Sequence, residues 1–287
     1  MKLPRFEYTA PATLAEAIAL LAASGGTAKA LAGGQSLVPA MAFRLAAPSM
    51  LVDLGKIKEL ERITLTEDGV RLGARVRWRD IERDARLKSA HPLLVAAIAH
   101  VAHYQIRNRG TVGGSLAHAD PAAEMPGVAV TCDAEIFIAG AKGTRTVKAK
   151  DFFTGPLSTV LADDELIVEV RLPAWAAKRR WSFEELARRR GDFALAGVAA
   201  FYDLDGAGRA VNVHVGVIGA CNRPHRIAQA EAALNARVID EAAIRAAAAA
   251  AEKAVDPPAD LHASAAYRRS LTGTLLERAL ARAGRTA

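Results

Sequence analysis

Two short stretches pair glycines with hydroxyl or amide side chains, and they are the residues of this chain best suited to hold a phosphate. The first is Ala32-Gly33-Gly34-Gln35-Ser36, which lies between an apolar strand pattern and the start of a helical one. Without Cβ atoms the backbone there can approach an anion closely, and successive N–H groups can converge at a helix start. A plain strand-to-helix turn has the same composition, so this stretch alone leaves both readings open. The second runs from Arg109 to Pro121 and contains Gly110, Gly113 and Gly114 among Thr111, Ser115, His118 and Asp120. Two such loops could clamp the two phosphates of a dinucleotide from opposite sides.

Other chemistries find little support. There is no Gly-x-Gly-x-x-Gly and no Gly-x-x-x-x-Gly-Lys, so neither a Rossmann fingerprint nor a P-loop is present. His100 and His103 are helix-spaced but lack a third nearby ligand, which leaves packing or capping as the alternative to a metal. Ser36 and Ser115 lack the Gly-x-Ser-x-Gly setting of a hydrolase nucleophile. His118 and Asp120 fit a turn better than a catalytic dyad. The two cysteines, Cys132 and Cys221, cannot build an iron–sulfur or structural zinc site, and they read as buried reduced thiols.

The elements that must position the two loops can be traced along the chain. Phe6-Glu7-Tyr8 reads as a strand. Thr13 and Glu16 form a capping box that opens a helix, and Gly25-Gly26 closes it. Lys29–Ala32 reads as a strand, a helix is expected from about Ser36, and Met50–Leu54 is a further strand, so this first part is a small, mostly parallel sheet. Ile63–Leu65 and Val70–Leu72 alternate about Asp68-Gly69 as a hairpin. Helices are expected over Trp78–Leu87 and Pro92–Ala102, an irregular functional loop over Tyr104–Asp120, and strands over Glu135–Ala139, Arg145–Val147 and Glu165–Leu172. From Lys178 the composition shifts. Val198–Leu204 and Val211–Val217 read as antiparallel strands, followed by Ala-rich helices around Ile227–Leu234, Glu241–Ala254 and Ser264–Arg282. The expected fold class is α+β, with a two-lobed domain over 1–177 and a smaller domain, an antiparallel sheet plus a helical bundle, over 178–287.

Composition narrows the setting. The 287 residues carry a net charge of +7, but the basic runs Lys178-Arg179-Arg180 and Arg188-Arg189-Arg190 are short and aromatics make up only 5%. That argues against nucleic acid and for a solvated basic face or a docking surface for an acidic protein. No apolar run reaches the ~18 residues of a membrane span, and the N-terminus lacks a secretory h-region, so a cytoplasmic location is expected.

The two loops, in this order, resemble those of the flavin subunits of the xanthine dehydrogenase and carbon monoxide dehydrogenase family. The resemblance covers nearly the whole chain and is carried by Lys29–Leu37, Ile106–Pro126, Glu165–Pro173 and the Arg-Arg-Arg-Gly-Asp-Phe-Ala of Arg188–Ala194, with Tyr267–Leu271 resembling a closing helix. It implies an FAD-binding domain of the vanillyl-alcohol-oxidase (PCMH) type, with FAD extended between two lobes, followed by a small α+β domain. By the resemblance, Lys29, Ala30, Leu31, Ala32, Gly33, Gly34, Gln35, Ser36 and Leu37, with Gly110, Thr111, Gly113, Gly114 and Ser115, would hold the pyrophosphate and adjoining groups. His118 and Asp120 continue the second loop, Glu124 falls at an acidic position on the adenosine side, and Ile167 and Phe193 fall beside the cofactor.

The implied activity is an electron relay, with no catalytic residue in this chain acting on the organic substrate. A molybdopterin cofactor in a large subunit would hydroxylate the substrate, two [2Fe–2S] clusters in a small subunit would pass electrons to FAD here, and a dimer of heterotrimers, a heterohexamer, would be the assembly. The arginine run 188–190 is expected near the iron–sulfur subunit, with a solvated or salt-bridged face as the alternative. Two departures are visible. Relatives that oxidise carbon monoxide carry histidine where this chain has Gln35, and several relatives place tyrosine where it has Phe193, which has no hydroxyl to donate. A free-standing flavin oxidase of the same fold, or a non-enzymatic FAD binder, are the other readings.

Overall fold

The computed structural model describes residues 2–284. The chain opens with three parallel strands, Glu7–Thr9, Met50–Asp53 and Ala28–Leu31, in that spatial order. Parallel neighbours need crossover connections. The helix Leu14–Ala23 supplies one, and its capping box forms as the sequence predicts: Thr13 Oγ1 accepts from Glu16 N at 3.2 Å, while Glu16 Oε2 accepts from Thr13 N at 3.3 Å. The short helix Leu37–Ala42 supplies the other. Ala17, Leu21, Ala28, Val52, Leu54, Ile57 and Leu60 close the core of this lobe.

The second lobe is a five-stranded antiparallel sheet ordered Ile63–Thr66, Gly69–Gly73, Leu166–Pro173, Glu135–Gly140, Gly143–Lys148. Its central strand comes last in the chain, so the lobe closes only when residue 166 returns between two earlier hairpins. Helices Pro92–Ile98, Val112–His118 and Glu124–Thr131 fill its core with Leu93, Leu94, Ile98, Val112, Leu116, Met125 and Val128.

The last part is a four-stranded antiparallel sheet, Arg180–Leu186, Ala196–Leu204, Ala210–Ile218 and His225–Arg226, covered on one face by helices Ala228–Leu234, Glu241–Ala254 and Ala265–Ala283. Its other face packs on the second-lobe helix Glu124–Thr131: a Cβ at Gly127 would fall within 2.7 Å of Ile218 Cδ1. Both faces are therefore buried, and Ala196 to Tyr202 are buried without interruption.

Several sequence-based expectations are corrected. The helix expected over Trp78–Leu87 stops at Arg83, because Asp84 turns extended and its carboxylate takes hydrogen bonds from Arg86; Leu87–Ala90 forms a separate turn of helix. The helix from Pro92 ends at Ile98, short of Ala102, whose backbone is left-handed. The stretch Tyr104–Asp120 is not irregular: it holds helices Tyr104–Arg107 and Val112–His118. The helix Glu124–Thr131 and the strand Arg180–Leu186 were not anticipated. Every residue of that helix is buried, so it has no polar face to give a helical period.

Candidate functional site

The two glycine loops, 76 residues apart at Gly34 and Gly110, meet in space. A Cβ on Gly33 would fall on the carbonyl oxygen of Arg109 and lie 2.9 Å from Gly110 Cα. A Cβ on Gly114 would lie 3.8 Å from Ala32 Cβ. Only glycine lets these backbones touch.

The first loop leaves strand Ala28–Leu31 and enters helix Leu37–Ala42. Gly34 has φ +74°, a left-handed backbone that favours glycine. Gln35 Nε2 donates to Gly33 O at 3.0 Å, and Ser36 sits at the helix N-cap without a side-chain capping bond. Among the described residues, the backbone amides of Gly33, Gly34, Gln35 and Ser36 donate to no acceptor of the chain. Backbone N–H groups are obligatory donors, so a run of four awaiting an acceptor suits an anion.

The second loop is tied down. Gly110 N donates to Ile106 O at 2.7 Å, and Trp78 N donates to Gly110 O at 3.2 Å. Val112 N reaches Val76 O, Gly113 N reaches Ala74 O, and Gly114 N reaches Thr111 Oγ1 at 3.2 Å. Thr111 is thus the N-cap of Val112–His118. A Cβ on Gly113 would be 2.6 Å from Ala74 Cβ and one on Gly110 would be 2.7 Å from Trp78 Nε1. In this loop the amides of Gly110, Val112, Gly113 and Gly114 are therefore already engaged within the chain. Around it lies positive charge: Arg75 is buried, its Nη1 donates to Leu54 O and Glu61 Oε1 at 3.0 Å each, and its pKa is lowered by burial first, with Arg77 and Arg109 lowering it further.

The remaining expected residues divide. Leu31 lies 3.3 Å from where a Gly34 Cβ would be, at the loop, and Leu37 begins the helix. Ala30 packs towards the core of the parallel lobe, and Lys29 is exposed, 3.6 Å from Asp163. Ser115 stands in the first turn of Val112–His118, and His118 ends that helix. Asp120 orders the following turn by accepting from Ala122 N at 2.9 Å. Ile167 is a core residue of the antiparallel sheet. Phe193 is 73% exposed. Its loop is held near the second glycine loop because Gly191 packs on His103 and on Ala102 O, directly before the helix Tyr104–Arg107 that leads to Gly110.

Glu124 opens a buried helix and is 8% exposed; burial pushes its pKa up to about 7, with Asp120 adding to the rise. A second buried carboxyl, Glu185, escaped the sequence reading. Its strand buries the adjacent Ser182 and Phe183, so no alternation within it places Glu185 inward. His100 and His103 bind no common partner: His100 lies beside Phe183 and Glu185, and His103 against Gly191. Among the described residues no group of His, Cys, Asp and Glu is arranged for a metal, and no helix is long and apolar enough to cross a membrane. Cys132 and Cys221 are free and buried, and burial pushes the Cys221 thiol up to about 12.

Comparison with known proteins agrees along the whole chain. Residues 4–175 match the family described as the FAD binding domain in molybdopterin dehydrogenase, and residues 181–283 match the CO dehydrogenase flavoprotein C-terminal domain. The chain is 39% identical over 284 residues to the nicotine 6-hydroxylase medium subunit of Paenarthrobacter nicotinovorans, covering 99% of each. It superposes on a chain of carbon monoxide dehydrogenase from Hydrogenophaga pseudoflava with TM-score 0.96 and 38% identity, and on one of quinoline 2-oxidoreductase from Pseudomonas putida 86 with TM-score 0.94 and 41% identity, covering 99% of each chain in both cases.

Proposed function

The chain belongs to the molybdenum hydroxylase family as one of its FAD-binding medium subunits, and on that premise we propose that FAD lies along the seam where the two glycine loops meet. The observation that carries this is the run of four unengaged amides from Gly33 to Ser36, pressed against Arg109 and Gly110. These amides bind the pyrophosphate; Gly34 turns the backbone to present them, and Gly33, Gly110, Gly113 and Gly114 let the two loops and their supports pack close behind it. Thr111 and Ser115 border it, His118, Asp120 and Glu124 line the adenosine side, and Ile167 and Phe193 flank the isoalloxazine. Lys29 and Ala30 act at a distance, by holding the strand that presents the loop.

Bound FAD supplies an exchange between one-electron and two-electron carriers. This chain's residues bind and orient it and keep water from the pyrophosphate; none of them acts on the organic substrate. Its electrons would come from [2Fe–2S] clusters held by a small subunit, with the molybdopterin cofactor of a large one supplying the hydroxylation chemistry, in a cytoplasmic dimer of heterotrimers. Arg188, Arg189 and Arg190 are exposed one turn of chain before Phe193, with Arg188 Nη1 3.4 Å from His262 Nδ1; we assign them to the contact with the iron–sulfur subunit. Exchanging Arg189 and Arg190 for glutamate should weaken assembly and slow flavin reduction with FAD content unchanged, and added salt should act in the same direction. Unaltered assembly in that variant would remove the arginines from the interface.

The test of the main reading is purification of the complex with analysis for FAD, iron and molybdenum, beside the chain expressed alone. The chain alone should bind FAD and turn over no organic substrate. Oxidation of an alcohol or sugar by the isolated chain, without metal, would favour a free-standing oxidase.

A further inference from the structure

One buried side chain joins the supports of the two glycine loops. Arg75 is 5% exposed, and among the described residues its side chain makes two hydrogen bonds, both from Nη1. They go to Leu54 O and to Glu61 Oε1, each at 3.0 Å. Nε is buried without a hydrogen-bond partner. Leu54 lies in the core of the parallel lobe, and Glu61 closes the short 3₁₀ turn Lys58–Glu61, whose Leu60 belongs to the same core. Leu54 directly follows Asp53, which pairs with Leu31, the last residue of the strand before the first loop. That strand also touches the turn Leu54–Lys56, and Leu31 Cδ1 lies 3.3 Å from where a Gly34 Cβ would be.

The backbone on either side of Arg75 braces the second loop. Ala74 O accepts from Gly113 N at 2.8 Å, Val76 O accepts from Val112 N at 3.0 Å, and Arg77 bridges to Thr111. Arg75 N donates to Leu60 O at 2.8 Å. Backbone and side chain of this one residue therefore both reach the parallel lobe, while its two neighbours hold the second loop. A buried guanidinium with an unpaired Nε is a costly way to add stability. What its bonds restrict is how one lobe can sit on the other: a shift or tilt would leave Nη1 unpaired as well, in a site closed to water. A seat for an anion that is fixed beforehand binds more tightly, because no ordering remains to be done on binding.

We propose that Arg75 is a positioning residue for the cofactor: by tying Leu54 and Glu61 to the segment that braces the second loop, it sets the free amides of Gly33 to Ser36 against that loop before FAD binds. The proposal rests on the FAD reading above. Arg75 acts through the two loops and not by contact with the phosphates.

The experiment is titration of the full chain, stripped of flavin, with FAD followed by fluorescence, at a temperature where circular dichroism shows each variant folded. Arg75→Met keeps an apolar stem and removes the donors, and should lower FAD affinity about tenfold or more. At saturating FAD, the phosphorus-31 resonances of its bound pyrophosphate should move towards those of free FAD, which a loss of stability alone would not cause. Arg75→Lys keeps a cation able to reach an acceptor; it should recover part of the affinity and return the resonances towards their native positions. Native affinity and native phosphorus resonances in folded Arg75→Met overturn the proposal while leaving FAD binding intact. No FAD binding by the native chain overturns the underlying reading instead. If Arg75→Met does not fold, Glu61→Leu, which removes one acceptor at a half-buried position, carries the test. Its affinity and resonances should move in the same directions by less, and native values for both overturn the proposal.

Discussion

The two glycine loops look alike in sequence and do different work in the fold. In the first, Gly33 to Ser36 keep their amides free of the chain. In the second, the amides of Gly110, Val112, Gly113 and Gly114 are spent on Ile106, Val76, Ala74 and Thr111. One loop offers donors, and the other is a braced wall against which the donors are set. A Gly-Gly pair near a hydroxyl therefore does not by itself mean a nest of N–H groups; what the neighbouring backbone has already taken decides it.

This contrast predicts different failures. The largest effect is expected from Gly113→Val in the braced loop, where the new Cβ would be 2.6 Å from Ala74 Cβ and 2.9 Å from Ala74 O. Overpacking of this kind should cost about 3 kcal/mol in denaturant unfolding, and FAD should be lost because the fold is weakened. If stability is unaffected, the bracing has been overstated.

The pH response should also differ between the loops, because the first carries no titratable side chain from Ala32 to Leu37, whereas the second leads to the buried Glu124, and Glu185 on the strand Arg180–Leu186 is a second buried carboxyl. Both have folded pKa values raised above the ordinary 4.5, to about 7 and about 9. The folded chain then binds more protons than the unfolded one. The associated stability is whole below the ordinary value and is lost as pH rises through the folded values. Flavin-free chain should lose up to about 1.4 kcal/mol per pH unit for each proton involved, and Glu185→Gln should flatten the slope. Stability rising with pH across that window would show the sign to be wrong.

Gly34→Ala in the donor loop comes next. Its φ of +74° makes any side chain there cost about 1–2 kcal/mol, yet FAD affinity should fall more than stability does, by at least tenfold. Equal losses of both would erase the distinction between the loops. The smallest effect is expected from Thr111→Ala, which removes an N-cap worth about 1 kcal/mol and should move the melting temperature slightly, with FAD affinity following only in part.

Much of this was legible before any coordinates, because the signals were local. Thr13 and Glu16 cap their helix through bonds spanning three residues. The hairpin about Asp68-Gly69 pairs Thr66 with Gly69, and the strands Ala196–Leu204 and Ala210–Ile218 flank the Gly-rich turn Asp205-Gly206-Ala207-Gly208. The positions of both glycine pairs are written in the chain. Two kinds of feature were not. The helix Val112–His118 carries two glycines, which disfavour helix locally; it forms because Gly113 and Val112 bond back to Ala74 and Val76, and Thr111 caps it. Glu124–Thr131 and Arg180–Leu186 are shaped by what covers them, and no periodicity within them announces that.

The sequence by itself determined where the backbone can turn, which segments alternate and which residues can cap, since each depends on bonds among near neighbours. Only the tertiary structure decided that Gly33 lies on Arg109, that Val112 and Gly113 of the second loop bond back to Val76 and Ala74, and that Ile218 of the four-stranded sheet lies on Gly127. Those three facts depend on contacts between residues more than 30 positions apart. Such contacts exist only after burial has overcome the entropy of bringing distant parts of the chain together.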